Sequence, residues 1–252
     1  MLANAASWGN STYHALQTRF EKRYSRGLSF LASYTWSKTM SDGVDGFWAA
    51  PWGNIRNWYC RSCDRAISAY DQPHRFVLNS TYELPFGRGK AFGSQWNRLM
   101  EGALGGWQVN GILTLSVGEP VTFYTAQNTT FSYGGAQRPD STGISPDLGG
   151  ARSIARWFDT RQIVPPAQFT FGNMARNSNV RSDNARNVDF SIFKNFRIAE
   201  RYQLSFRGEA FNLMNHPLFG APNTTLGSPT FGLVLSQENL PRQIQLGLKL
   251  IF

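Results

Sequence analysis

The side chains able to do chemistry are few and dispersed. Cys60 and Cys63 stand as C-R-S-C with no second pair to complete a four-cysteine zinc site, so a local disulfide or two free thiols is expected rather than a metal centre. His14, His74 and His216 are scattered, without an H-E-x-x-H pattern or a His/Cys cluster, and read as strand-end or loop residues. Gly87-Arg-Gly-Lys-Ala-Phe-Gly93 imitates a phosphate loop loosely. Its third glycine comes one position late, and Ala91 follows Lys90 where Ser or Thr is needed to reach a magnesium ion, so a turn is expected. Asp42-Gly-Val-Asp-Gly46 lacks the carboxylate spacing of a calcium loop and reads as a loop tip. Nothing follows G-x-S-x-G. Neither an enzyme nor a cofactor is expected, and no metal site.

What does stand out is aromatic. Aromatic residues make up 14% of the chain and charged ones only 16%, against roughly 25% charged in an ordinary soluble domain. Trp48, Trp52, Trp58, Tyr59, Phe131 and Tyr133 fall in stretches rich in turn-forming residues. Flat rings there can capture a sugar or an apolar ligand face at modest entropic cost, or pack among the loops themselves. The net charge of +9 is dispersed, with no basic run longer than the pair Lys22-Arg23, which argues against a nucleic-acid partner and for solubility and surface charge.

The elements that must position these residues follow a period of two. On 28–37, Leu28, Phe30, Ala32, Tyr34 and Trp36 alternate with Ser29, Leu31, Ser33, Thr35 and Ser37; on 13–24, Leu16, Phe20 and Tyr24 oppose Gln17, Arg19, Glu21 and Arg23. Ser25-Arg26-Gly27 joins the two as a tight hairpin in which Gly27 supplies a positive φ. Further alternating segments lie near 75–84, 107–117, 188–192 and 202–209. The last runs Ile244, Leu246, Leu248, Leu250, Phe252 against Gln243, Gln245, Gly247, Lys249 and Ile251. About seven strands result, separated alternately by short turns (25–27, 197–201) or an intermediate connection (85–105) and by long loops (41–73, 118–185, 214–241).

The longest unbroken apolar run is four residues, Phe47 to Ala50, so no helix of ~20 apolar residues spans a membrane. A soluble antiparallel sheet also alternates, but three features favour an all-β, antiparallel transmembrane barrel. An 11-residue strand, at about 3.3 Å per residue and tilted about 45°, rises about 25 Å, the height of a lipid-facing band. Tyr24, Trp36, Tyr82, Trp107, Tyr202 and Phe252 lie near strand ends, where interfacial girdles form. Long and short connections also alternate as extracellular loops and periplasmic turns do. A soluble β-sandwich stays as the alternative. Single-chain bacterial barrels need an even number of strands, at least about eight, and Met1 to Ala6 shows no signal-peptide pattern. Both points suggest part of a larger barrel.

The residues resemble the C-terminal end of a TonB-dependent outer-membrane receptor, of the Oar-like type that carries a carboxypeptidase-regulatory-like N-terminal domain. The resemblance rests on Tyr13-His-Ala-Leu-Gln17, Gly27-Leu-Ser-Phe-Leu-Ala-Ser-Tyr-Thr-Trp-Ser-Lys38, Asp71-Gln-Pro-His-Arg-Phe76, Glu83-Leu-Pro-Phe-Gly87 and Gly105-Gly-Trp-Gln-Val109. It continues through Phe171-Gly-Asn173, Arg176-Asn177, Asn187-Val-Asp189, Phe193-Lys-Asn-Phe196, Phe211-Asn-Leu-Met-Asn-His-Pro217 and Pro241-Arg-Gln-Ile-Gln245, and closes at Phe252. Arg181-Ser-Asp-Asn-Ala185 departs from the Pro-Gly turn such receptors often have there.

The resemblance implies that residues 1–252 are about seven strands of a 22-stranded barrel whose plug and N-terminal domains lie outside this sequence, and that the whole takes up a substrate across the outer membrane. It implies outer-membrane lipid, lipopolysaccharide and the barrel-insertion machinery as partners, and the TonB complex only through the N-terminal part. In such barrels a terminal aromatic after alternating apolar residues, here Ile244, Leu246, Leu248, Leu250 and Phe252, acts as the assembly signal. Arg19, Glu21, Arg75, Glu83, Arg207 and Glu209 would then face the lumen, and a Cys60–Cys63 bridge would staple the first long loop after secretion. A surface binding or adhesin-like β-protein, or a passive porin-like barrel, stands as the alternative.

Overall fold

The structure is a computed structural model that describes residues 9–43, 56–57, 59–130, 137–197 and 202–252. Alternating segments become seven long strands: β1 (Ser11–Ser25), β2 (Leu28–Ser41), β3 (His74–Glu83), β4 (Trp107–Ser116), β5 (Ala185–Arg197), β6 (Gln203–Phe211) and β7 (Gln243–Ile251). Each pairs antiparallel with the next in chain order, giving a meander. The two-residue strand Ala66–Ile67 adds to the end of β2. The β1–β2 hairpin turns through Arg26 (φ 53°) and Gly27 (φ 79°). Two consecutive positive φ values match the right-handed twist of the flanking strands.

Register converts the alternation of each strand into two continuous faces. One row crosses β2 to β7 as Leu28, Tyr82, Val109, Ile192, Gly208 and Leu246. The neighbouring row on the opposite face runs Ser29, Thr81, Asn110, Ser191, Glu209 and Gln245. Side chains in the polar row bond to one another: Asn110 Nδ2 donates to Ser191 Oγ at 3.3 Å, and the Gln245 amide donates to the Glu209 carboxylate. Among the described residues no core covers the apolar face of β7, where Leu246 and Leu248 are 73% and 70% exposed. In water such a surface would be a severe liability, whereas in a bilayer it is the lipid-facing wall.

Both edge strands run away from the long loops, and neither edge is paired among the described residues. Closing the meander with antiparallel pairs requires an odd number of further strands between β7 and β1. The intermediate connection over 85–105 is not all turn: α1 (Arg98–Leu104) folds there. Asn97 caps it by accepting from Met100 N at 2.8 Å, and Gly105 ends it. Helix α1 offers the Glu101 carbonyl to Lys194 Nζ, 3.3 Å away, while that ammonium lies 5.1 and 4.9 Å from the Trp107 and Phe196 ring centres. A lysine on the apolar face is thereby enclosed.

Candidate functional site

Because the strands send their apolar side chains to lipid, the buried hydrophobic cluster forms in the long loops. Phe123, Trp157, Phe158, Ile163 and Val180 are its most buried members, with Phe219 and Phe231 of the third loop packed against it. Phe158 meets Phe123 and Phe231 edge-on, at centroid distances of 4.8 and 5.1 Å. Short backbone pairings join the same two loops: Tyr124–Thr125 lies parallel to Thr225–Leu226, and Trp157 N donates to Gly232 O at 3.0 Å.

Charge ties the first long loop to the second. Arg138 ion-pairs with Asp64, both side chains being no more than 5% exposed. Arg176 donates to the Asp64 carbonyl at 3.3 Å, to Ser41 O at 2.9 Å and to the Ser41 hydroxyl. Arg181 holds Asp71, and Asn177 Nδ2 donates to Ile67 O at 2.7 Å. Burial pushes the Arg138 guanidinium below its ordinary value, against the pull of Asp64. Gly172 is required where the loops cross: a Cβ there would lie 1.9 Å from the Arg138 carbonyl oxygen. The loops therefore form one packed cap over the extracellular rim. Among the described residues, the long loops hold the buried apolar cluster.

Below the cap, a cleft of about 450 Å³ opens at the top of the polar face. Ser116 and Ala185, at the ends of β4 and β5, form its floor, and Glu119, Asp183 and Glu238 supply three carboxylates to its wall. Asp183 is committed to structure, accepting from Phe219 N at 3.1 Å and lying 3.6 Å from Arg152. Glu119 and Glu238 have no partner for their carboxylates among the described residues, so this mouth favours a hydrogen-bond donor or a cation.

Of the loop aromatics singled out in the sequence, Trp48, Trp52, Trp58, Phe131 and Tyr133 lie outside the described residues. Tyr59 is 99% exposed. Cys60 and Cys63 are joined as a disulfide, within a turn continuous with the 3-10 helix Arg61–Asp64 that delivers Asp64 to Arg138. Ile244, Leu246, Leu248 and Leu250 share the lipid face of β7, and Phe252 follows at 89% exposure. The charges expected in the lumen occupy the polar face: Arg19 bonds Glu21 at 2.7 Å, Glu83 bonds Lys90 at 2.6 Å, and Arg207 stacks on Phe193 at 5.3 Å. His74, expected as a strand-end residue, opens β3 and sits 2.9 Å from the Tyr34 hydroxyl. Sequence reasoning missed Asp64, Asp71, Arg138, Arg176 and Arg181 as a network. Their signal was present in the blocks that begin at Asp71 and Arg176, but isolated loop charges carry no period that names their partners.

A meander with one lipid face, one polar face, shorter connections at one end and a packed loop cap at the other defines part of an outer-membrane β-barrel. The chain belongs to the outer membrane beta barrel domain family, whose model matches residues 2–245, and this places the protein in the outer membrane. Neither a curated protein nor a solved structure matches it. No helix among the described residues is long and apolar enough to cross a membrane, and the strands do the crossing.

Proposed function

We propose that this chain is the C-terminal wall and loop cap of a TonB-dependent, Oar-like receptor, and that the complete receptor takes up a substrate across the outer membrane. The observation that carries this reading is the open meander: two parallel-running edges, unpaired among the described residues, would cost several kcal/mol per backbone group in hydrocarbon. The sheet therefore needs further strands, and a larger barrel provides them. Its polar face would line a lumen wide enough for a plug, and the cleft bearing Glu119 and Glu238 would meet substrate at the mouth. The role assigned to the chain is binding and passage, with no catalytic step. Lipid, the barrel-insertion machinery and, through the N-terminal part of the receptor, the TonB complex are the partners it would use.

The test compares cells with and without the gene for depletion of medium components, by mass spectrometry, with the TonB complex intact or deleted. A compound consumed only when both gene and TonB complex are present supports the reading. Uptake independent of the complex would indicate a passive porin. Surface retention without uptake would favour a binding or adhesin-like protein, a reading that the packed, disulfide-bearing cap supports.

A further inference from the structure

Among the described residues, a charged cleft opens on the apolar face that the barrel itself does not use. Tyr34, Phe76, Leu115 and Arg186 form a single cross-strand row near the extracellular ends of β2 to β5, and His74 lies one step beyond it, opposite Trp36. Together with Val117 they enclose about 390 Å³ opening outward, and no carboxylate lines it. The Arg186 guanidinium has no hydrogen bond or ion pair among the described residues. A guanidinium on the lipid face is costly at mid-bilayer but tolerated near the interface, so its placement at the rim fits a headgroup anion.

The geometry points to a binding site for a lipid phosphate, and we propose that its occupant is the phosphorylated glycolipid of the outer leaflet, of the lipid A type. Tyr34 Oη lies 2.9 Å from His74 Nδ1, and the two rings stack at 6.2 Å with 17° between planes. With the Tyr34 hydroxyl donating to Nδ1, the imidazole keeps its proton on Nε2, free to donate to a phosphate oxygen. Arg186 supplies a forked donor beside it, while Phe76, Leu115 and Val117 offer an apolar floor for an acyl chain. Asp71, three residues before His74 in the chain, is paired with Arg181 at 2.5 Å and Lys38 at 3.9 Å, so its charge is already balanced. The level of the cleft selects the source: the long loops mark the extracellular end, where the outer leaflet presents glycolipid phosphates. The site stands on the orientation of the sheet and is independent of transport.

The test extracts the full chain from outer membranes in mild detergent, equilibrates it with lipid A, dephosphorylated lipid A or phosphatidylglycerol, and counts bound lipid by native mass spectrometry. Heat-modifiable migration verifies the fold of each variant. Lipid A retention should fall about tenfold in Arg186→Glu and severalfold in His74→Ala, survive in part in Arg186→Lys, and be unchanged in Lys249→Glu on the opposite face. Should Arg186→Glu fail to insert, the neutral Arg186→Gln gives the same reading. Wild-type retention by the Arg186 variants, or equal retention of dephosphorylated lipid A, overturns the site. Phosphatidylglycerol bound as well as lipid A overturns the choice of occupant.

Discussion

Arg181 reaches across 110 residues of sequence to grip Asp71 twice, with Nη2 2.5 Å from the carboxylate and Nη1 2.7 Å from the backbone carbonyl. The Asp71 side chain is fully buried and also accepts from Thr39 N at 2.6 Å, which fastens the second long loop to the end of β2. Asp71→Asn leaves Arg181 without its counter-charge and should destabilise the cap by about 3 kcal/mol, read as faster proteolysis within 118–184. Arg181→Met combined with Asp71→Asn should recover part of that loss. A double variant no better than the single one would place the cost outside the pair.

The aromatic cluster predicts a second loss. Phe158 is fully buried between Phe123 and Phe231, so Phe158→Ala should cost about 3–5 kcal/mol of cap stability. Strand pairing in β1 and β2 should be spared. Hydrogen exchange resolves the two regions: amides at 121–125 and 225–234 speed up while those of the β1–β2 hairpin do not.

Asp159 predicts an acid limb. Hydrogen bonds from Arg161 first, then Gln162 and Arg156, hold its carboxyl well below the ordinary value of 3.8, outweighing partial burial. A depressed folded value means the contribution is fully present above 3.8 and is lost as pH falls below it. Exchange protection at 156–162 should therefore stay level from neutral pH to about 4 and drop beneath it. Asp159→Asn should flatten that limb.

The disulfide closes only a four-residue segment, so its loss should remove about 2 kcal/mol from the turn that presents Asp64. Cys60→Ser with Cys63→Ser should raise the proteolysis rate near residue 64 and leave membrane insertion untouched. Loss of insertion would mean that the bridge acts on the strands.

Orientation of the sheet can be read directly. A lipid-soluble photolabel should mark Tyr202, Leu204 and Phe206 rather than Gln203, Ser205 and Arg207. Leu246→Arg, mid-strand opposite Gly208, should cost about 2–4 kcal/mol of folding into liposomes, and Gln245→Arg little. Removal of Phe252 should lower the outer-membrane level severalfold if the terminal aromatic is read during assembly.

The sequence by itself determined the wall. Alternation fixed the number of strands and which side chains share a face, since a strand's period of two leaves no freedom once one face is apolar: Leu204, Phe206 and Leu250 could be assigned without coordinates. Strand limits moved by a few residues, as β2 runs on to Ser41 and β5 begins at Ala185, because Thr39, Ser41 and Ala185 belong to the ladder through backbone bonds that do not depend on side-chain polarity. What only the tertiary structure decided was the cap. Asp64 with Arg138, Asp71 with Arg181 and Ser41 with Arg176 are separated by 74, 110 and 135 residues. Such pairs follow no period. They meet because the meander brings the mouths of three loops together, and because charges buried there must find a partner or stay in water.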